Sequence, residues 1–176
     1  MHLQGTRTMA ASQGEWSGRV APTLQSRDVR AAAHCDVPVL LTGRREAVEA
    51  LAYRIHSFSS RRYGAFSVVD CSAPERMVEC LLFNGGRDVD SAIILRPRPD
   101  RRRNGGTVLL QDIGKLSLGF QAMLAERLNE IRGVGKNEAS SRRLIASTAE
   151  ALWPRVEAGT FYDQLFYRLN VMHLVV

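Results

Sequence analysis

Short apolar runs alternate with amphipathic segments along most of this chain. Each run is rich in aliphatic or β-branched residues and is bounded by glycine, proline or polar residues, as buried strands usually are. The predicted strands lie at 37–41, 66–69, 107–110, 143–147 and 169–176. Because helical segments separate these runs, the pattern predicts an α/β fold with a parallel five-stranded sheet sandwiched between helices.

The segments between the runs carry apolar residues at helical spacing on one face and charged residues on the other. Helices are predicted at 45–57, 117–131 and 153–168, and a short helix could form at 25–33. A further helix, running through Leu82, is predicted to begin with a capping box in which Ser72 and Glu75 satisfy each other's backbone amides, with Pro74 in the first turn.

The run 107–110 is the predicted central strand, because two glycines precede it and all of its residues can be buried. Gln111 and Asp112 follow it at the carboxyl end, the edge where open α/β sheets place their ligands. These two residues are therefore the first candidates for a functional site. The simpler alternative for Asp112 is that its carboxylate only caps the turn that follows.

The length and composition indicate one soluble domain. With 176 residues, 45% of them hydrophobic, the chain can bury one sizeable core. Residues 1–33 are polar and lack periodicity, so they are predicted to be a flexible lead-in to a core at 34–176. No apolar run is long enough to span a bilayer or to serve as a secretory signal, and we expect a cytoplasmic protein without membrane contact.

Neither the cysteines nor the histidines suggest a metal site. The three cysteines lack C-x-x-C spacing, and the four histidines are scattered along the chain. No metal ligands are therefore predicted.

The net charge of +6 permits an acidic or nucleic-acid partner without requiring one. The densest basic stretch holds Arg96, Arg98, Arg101, Arg102 and Arg103. These arginines could contact phosphates without sequence preference. The alternative, which we favour, is a solvated loop stiffened by prolines, because no aromatic residues are interleaved to stack on bases.

An ordered set of motifs gives the chain a resemblance to a known family. The motifs lie at 38–43, 54–56, 64–66, 79–83, 105–107, 112–114, 121–122 and 166–171. In order and spacing they resemble the AAA+ ATPase core of sigma-54-dependent enhancer-binding activators. The resemblance implies a three-layer P-loop NTPase fold, ATP and magnesium as ligands, and assembly into an oligomer.

The chain departs from this family where the nucleotide phosphates would bind. The family has a Gly-x-x-x-x-Gly-Lys loop after its first strand, whose amides and lysine hold the phosphates. Here Gly43 is followed by Arg44 and Arg45, with neither the second glycine nor the lysine. The resemblance thus implies a degenerate nucleotide site formed by Gly43, Arg44, Arg45 and Gln111.

The catalytic positions implied by the resemblance are also altered. Gln111 and Asp112 replace an Asp-Glu pair, which weakens both the magnesium site and the positioning of the attacking water. Ala149 stands at the sensor asparagine and Tyr162 at the first arginine finger. Only Arg168 keeps the second finger position, although a backbone carbonyl or Asp163 could instead be its partner.

Two further family elements are not recognised. Residues 84–90 lack the sigma-contacting loop, and the helical lid expected beyond 176 is absent from this sequence. We therefore expect no cofactor, or at most weak binding of ATP and magnesium. Two hypotheses stay open: a non-hydrolysing interaction module, and a residual ATP binder or weak ATPase. Either could work in a homo-oligomer or in a mixed oligomer with an intact paralogue.

Overall fold

Five parallel strands form one sheet in this computed structural model, which describes residues 27–83, 105–132 and 141–176. The strands are β1 Val39–Thr42, β2 Phe66–Asp70, β3 Thr107–Gln111, β4 Arg143–Thr148 and β5 Met172–Val175. Their order across the sheet is β2-β3-β4-β1-β5, and every neighbouring pair is parallel. The predicted five-stranded parallel sheet is confirmed.

Six α-helices accompany the sheet in the described residues. They are α1 Arg27–His34, α2 Arg45–Ser57, α3 Glu75–Phe83, α4 Leu118–Ile131, α5 Trp153–Glu157 and α6 Asp163–Leu169, with a 3₁₀ turn at Ile113–Lys115. The single helix predicted at 153–168 is wrong, because α5 ends before Gly159, which takes a left-handed φ of 67°.

Apolar side chains cover both faces of the sheet. On β3, Leu109 packs into a cluster with residues of α1 and α2, whereas Leu110 packs into the cluster on the opposite face with residues of α3, α4 and α6. Strands buried on both faces have no polar alternation, which explains the continuous apolar runs in the sequence. Val29 and Ala32 of α1 also lie in the core, so residues 27–33 belong to the folded unit. The rest of the predicted flexible lead-in, residues 1–26, lies outside the described residues.

The predicted capping box at the start of α3 is absent. The Ser72 amide donates instead to Oδ1 of Asp70, and Glu75 Oε1 accepts a 2.8 Å hydrogen bond from the Ser117 amide. Ser117 in turn caps α4 by accepting from the Phe120 amide. Glu75 therefore joins the beginnings of α3 and α4 at the carboxyl edge of the sheet.

Candidate functional site

The connection between β1 and α2 is the first element of the candidate site. β1 ends at Thr42 and α2 begins at Arg45, so only Gly43 and Arg44 lie between them. The Gly43 amide donates to the Thr148 carbonyl of β4, which keeps the connection against the sheet. A Cβ on Gly43 would lie 2.6 Å from the carbonyl oxygen of Val176, so a side chain has no room there. The connection is too short to wrap around a phosphate group.

Arg45 bridges two carboxylates at the ends of neighbouring strands. Its Nη2 lies 2.7 Å from Asp70 Oδ2 and 3.0 Å from Asp112 Oδ2. Burial alone would raise the pKa of Asp70, but hydrogen bonds from Arg45 and Ser72 outweigh it and hold that pKa below its usual value. The same contacts with Asp70 and Asp112 raise the pKa of Arg45, so the guanidinium stays charged.

Gln111 is the last residue of β3 and lies in register with Asp70. Its backbone carbonyl accepts from the Cys71 amide, but its side-chain Nε2 is buried without a hydrogen-bond partner within the described residues. A buried amide donor without a partner costs free energy, on the order of 1–3 kcal/mol. A neutral amide also supplies no charge to hold a magnesium ion.

Asp112 has a left-handed backbone, with φ 57° and ψ 50°, which is uncommon for a residue other than glycine. Its amide donates to Ser147 Oγ at 3.3 Å, and its carbonyl accepts from the Lys115 amide. The side chain makes no capping hydrogen bond to the 3₁₀ turn. The carboxylate is directed to Arg45, so the capping alternative for Asp112 is wrong.

Arg168 lies apart from these residues, near the amino end of β5. Its Nη1 donates to the Ala125 carbonyl of α4 at 2.5 Å. Asp163, the other partner considered from the sequence, instead accepts a hydrogen bond at Oδ1 from the Gln164 amide. Arg168 also lines a cavity of about 240 Å³, together with Pro38, Leu128, Asn129, Arg132 and Val171. The structure thus brings together Gly43, Arg44, Arg45, Gln111 and Asp112, but not Arg168.

Sequence reasoning missed Asp70 as a member of the site. It ends β2 next to β3, and the rule that pointed to Gln111 and Asp112 applies to it equally. Ala149 follows β4 and is exposed, while the Tyr162 amide donates to Gln121 Oε1. The arginine-rich stretch 96–103 and the segment 84–90 lie outside the described residues.

The described residues contain no group of three His, Cys, Asp or Glu side chains placed to hold a metal ion. In the same part of the chain, no helix is long and apolar enough to cross a membrane. Arg45 already lies between the carboxylates of Asp70 and Asp112, and only two residues separate β1 from α2, without the Gly-x-x-x-x-Gly-Lys pattern of a phosphate loop.

Comparison with known proteins identifies similar sequences. The chain matches the family model of the sigma-54 interaction domain over residues 20–175. It is 36% identical over 157 residues to the regulatory protein AtoC of Escherichia coli K12, covering 85% of this chain and 34% of AtoC. It is also 36% identical over 171 residues to the nitric oxide reductase transcription regulator NorR1 of Cupriavidus necator, covering 92% and 33%. The chain spans about a third of the length of these relatives.

Solved structures agree on the fold. NtrX from Brucella abortus in complex with ADP is similar with a TM-score of 0.63 and 26% identity, covering 84% of this chain and 34% of NtrX. The P-loop NTPase domain of the sigma-54 transport activator from E. coli aligns with a TM-score of 0.53 and 17% identity, covering 80% of this chain and 97% of that domain.

Proposed function

This chain belongs to the sigma-54 interaction domain family of transcriptional activators, and we propose that it is a member that binds partners without hydrolysing ATP. The observation that carries the proposal is the bridge from Arg45 to Asp70 and Asp112. In this proposal the fold is kept as an interaction module while the catalytic chemistry is lost.

The bridge opposes magnesium binding for a simple electrostatic reason. A magnesium ion requires oxygen ligands in near-ideal octahedral geometry at about 2.0–2.1 Å. Here one guanidinium nitrogen already contacts both carboxylates and offsets one of their two charges. The guanidinium is covalently tethered, so a magnesium ion would have to displace it. Catalysis of phosphoryl transfer consists almost entirely of positioning and charge stabilisation. The missing phosphate loop and the contact of Arg45 with Asp112 therefore both favour a site that does not hydrolyse ATP.

Residual nucleotide binding is the second candidate. It is favoured by the similarity to NtrX from Brucella abortus, which has been solved with ADP and with ATP. In this case Arg44 and Arg45 would contact phosphates through their side chains, because no backbone loop is available. Such binding would be weaker than that of a phosphate loop and would not depend on magnesium.

An ATP titration by calorimetry, with and without magnesium, separates these candidates. We expect no saturable binding in the low micromolar range and no phosphate release. If Arg44 and Arg45 contact phosphates, Arg44→Ala and Arg45→Ala should each weaken any ATP binding, whereas Arg54→Ala, in the last turn of α2, is the matched control and should not. Low-micromolar binding by the unaltered chain, with turnover that disappears in Asp112→Asn, would refute the proposal.

The partner we propose is an intact ATPase of the same family, in a mixed oligomer. Arg168 supports this choice, because it is exposed and distant from this chain's own candidate site. An arginine supplied to a neighbour acts only if the neighbour holds a nucleotide. In a homo-oligomer of this chain, Arg168 would not speed ATP hydrolysis, because in this proposal the neighbouring copy holds no nucleotide.

Co-purification with an intact relative, followed by its ATPase rate, tests the partner. Arg168→Ala is expected to weaken association or to change the rate, whereas Arg76→Ala, an exposed arginine on α3, should change neither. If Arg168→Ala also changes neither, the residue is structural and holds α6 against the Ala125 carbonyl of α4.

A further inference from the structure

The turn between α2 and β2 carries two exposed aromatic rings at the amino-terminal edge of the sheet. Phe58 is 57% exposed and Tyr63 is 68% exposed. Neither ring belongs to the two apolar clusters of the core. We call residues 58–63 the aromatic turn.

Hydrogen bonds hold the aromatic turn in one conformation. Ser59 is 2% exposed, and its hydroxyl donates to the His56 carbonyl at 2.7 Å while accepting from the Arg61 amide. The Gly64 amide then donates to the Arg61 carbonyl at 2.8 Å. Rings on a fixed backbone lose little conformational entropy when a ligand covers them.

The chain around these rings is basic, with the carboxylate of Asp36 held in a pair with Arg61. The guanidinium of Arg62 lies 4.5 Å from the centre of the Tyr63 ring. Residues 50–69 include three arginines and no aspartate or glutamate. Arg61 is paired with Asp36 and also donates to the carbonyls of Gly105 and Ser141, so it fixes the turn to the rest of the edge.

We propose that the aromatic turn binds single-stranded nucleic acid. Bases would stack on Phe58 and Tyr63, and Arg62 would contact the phosphates. Base stacking on aromatic rings is tolerant of sequence and needs unpaired bases, which a duplex does not offer. An acidic peptide would be attracted by Arg62 but would make no use of two flat rings. The turn lies at the opposite edge of the sheet from Arg45 and Asp112, so the inference does not depend on whether ATP binds.

The test is fluorescence anisotropy of a labelled oligothymidylate, and of a duplex of equal length, with the full chain at low and at physiological salt. Phe58→Ala and Tyr63→Ala are each expected to weaken binding of the single strand by about 5- to 100-fold. Tyr63→Phe keeps the ring and should bind nearly as well as the unaltered chain. Tyr167→Ala is the matched control, because Tyr167 is 62% exposed on α6 and lies outside the turn.

Several outcomes would overturn the proposal. One is no binding of oligothymidylate even at low salt, and another is unchanged binding by both alanine variants. A preference for the duplex, or loss of binding only when the arginines at 96–103 are replaced, would assign the affinity to phosphate contacts elsewhere. Tighter, ring-dependent binding of polyglutamate would identify an acidic peptide as the ligand.

Discussion

Arg45 donates a 2.7 Å hydrogen bond to Asp70, joining the first turn of α2 to the last residue of β2. The two residues belong to elements on opposite sides of β3 and β4 in the sheet order, since α2 follows β1 while β2 lies at the sheet edge. The contact therefore spans the carboxyl edge of the sheet and crosses the end of β3, where Asp112 accepts from the same nitrogen.

Arg45→Ala should lower the free energy of unfolding at pH 7 by about 0.5–1 kcal/mol, a small effect because both Arg45 and Asp70 are more than a third exposed. The folded pKa of Asp70 is lowered, so its stabilising contribution is present above the unfolded pKa of about 3.9 and is lost as the pH falls through the folded pKa. Urea unfolding at neutral and at acidic pH should show the difference between the two proteins shrinking in acid. A pH-independent difference would assign the effect to another cause.

Gly106→Ala should destabilise the protein by about 2 kcal/mol or more, since its Cβ would lie 1.9 Å from the carbonyl oxygen of Ala65. The control is Gly119→Ala in α4, where no atom lies within 4 Å of the added carbon. That change should be neutral or stabilising by up to about 1 kcal/mol. Chemical denaturation of both variants measures the contrast, and equal stabilities would contradict this packing at Gly106.

Cys71 should be the slowest cysteine to be alkylated in the native protein. Burial raises the pKa of its thiol, and the nearby carboxylates of Asp70 and Asp112 raise it further, so the reactive thiolate is scarce. Cys80 is only partly buried and should react sooner. Iodoacetamide labelling followed by peptide mass spectrometry checks this order, which should disappear in urea. Native labelling of Cys71 as fast as Cys80 would show that the site opens frequently.

The chain alone should not open a sigma-54 promoter complex, because the proposed site neither holds magnesium nor positions a nucleotide. Permanganate footprinting of the promoter with ATP present measures opening, and an intact activator of the family serves as the positive control. Any ATP-dependent opening by this chain as sole activator would contradict the proposed function.

The sheet could be predicted from the sequence because its central strands are buried on both faces. Every residue of β1, β3 and β4 is buried, and the middle of each strand is an unbroken apolar run. The capping box failed because Glu75 has a distant partner, Ser117. Local pattern gives no sign of a contact between residues so far apart in sequence.

The site was predictable only in part. Strand polarity placed Gln111 and Asp112 at the carboxyl edge, as the structure confirms. The pairing of Arg45 with Asp70 depends on β2 lying beside β3, and periodicity does not reveal the order of strands. The orientation of the Asp112 carboxylate depends likewise on its left-handed backbone, which aspartate adopts only in particular contexts.

The two-residue connection between β1 and α2 also limits how this sequence could acquire a phosphate-binding loop. Substituting lysine or glycine at Arg44 or Arg45 would change side chains but would add no backbone amides to surround a phosphate. A phosphate-binding loop would require inserted residues or the unwinding of the first turn of α2, which begins at Arg45. A phosphate-binding loop in this chain would therefore require a change in chain length or in the helix boundary, beyond the exchange of the side chains at Arg44 and Arg45.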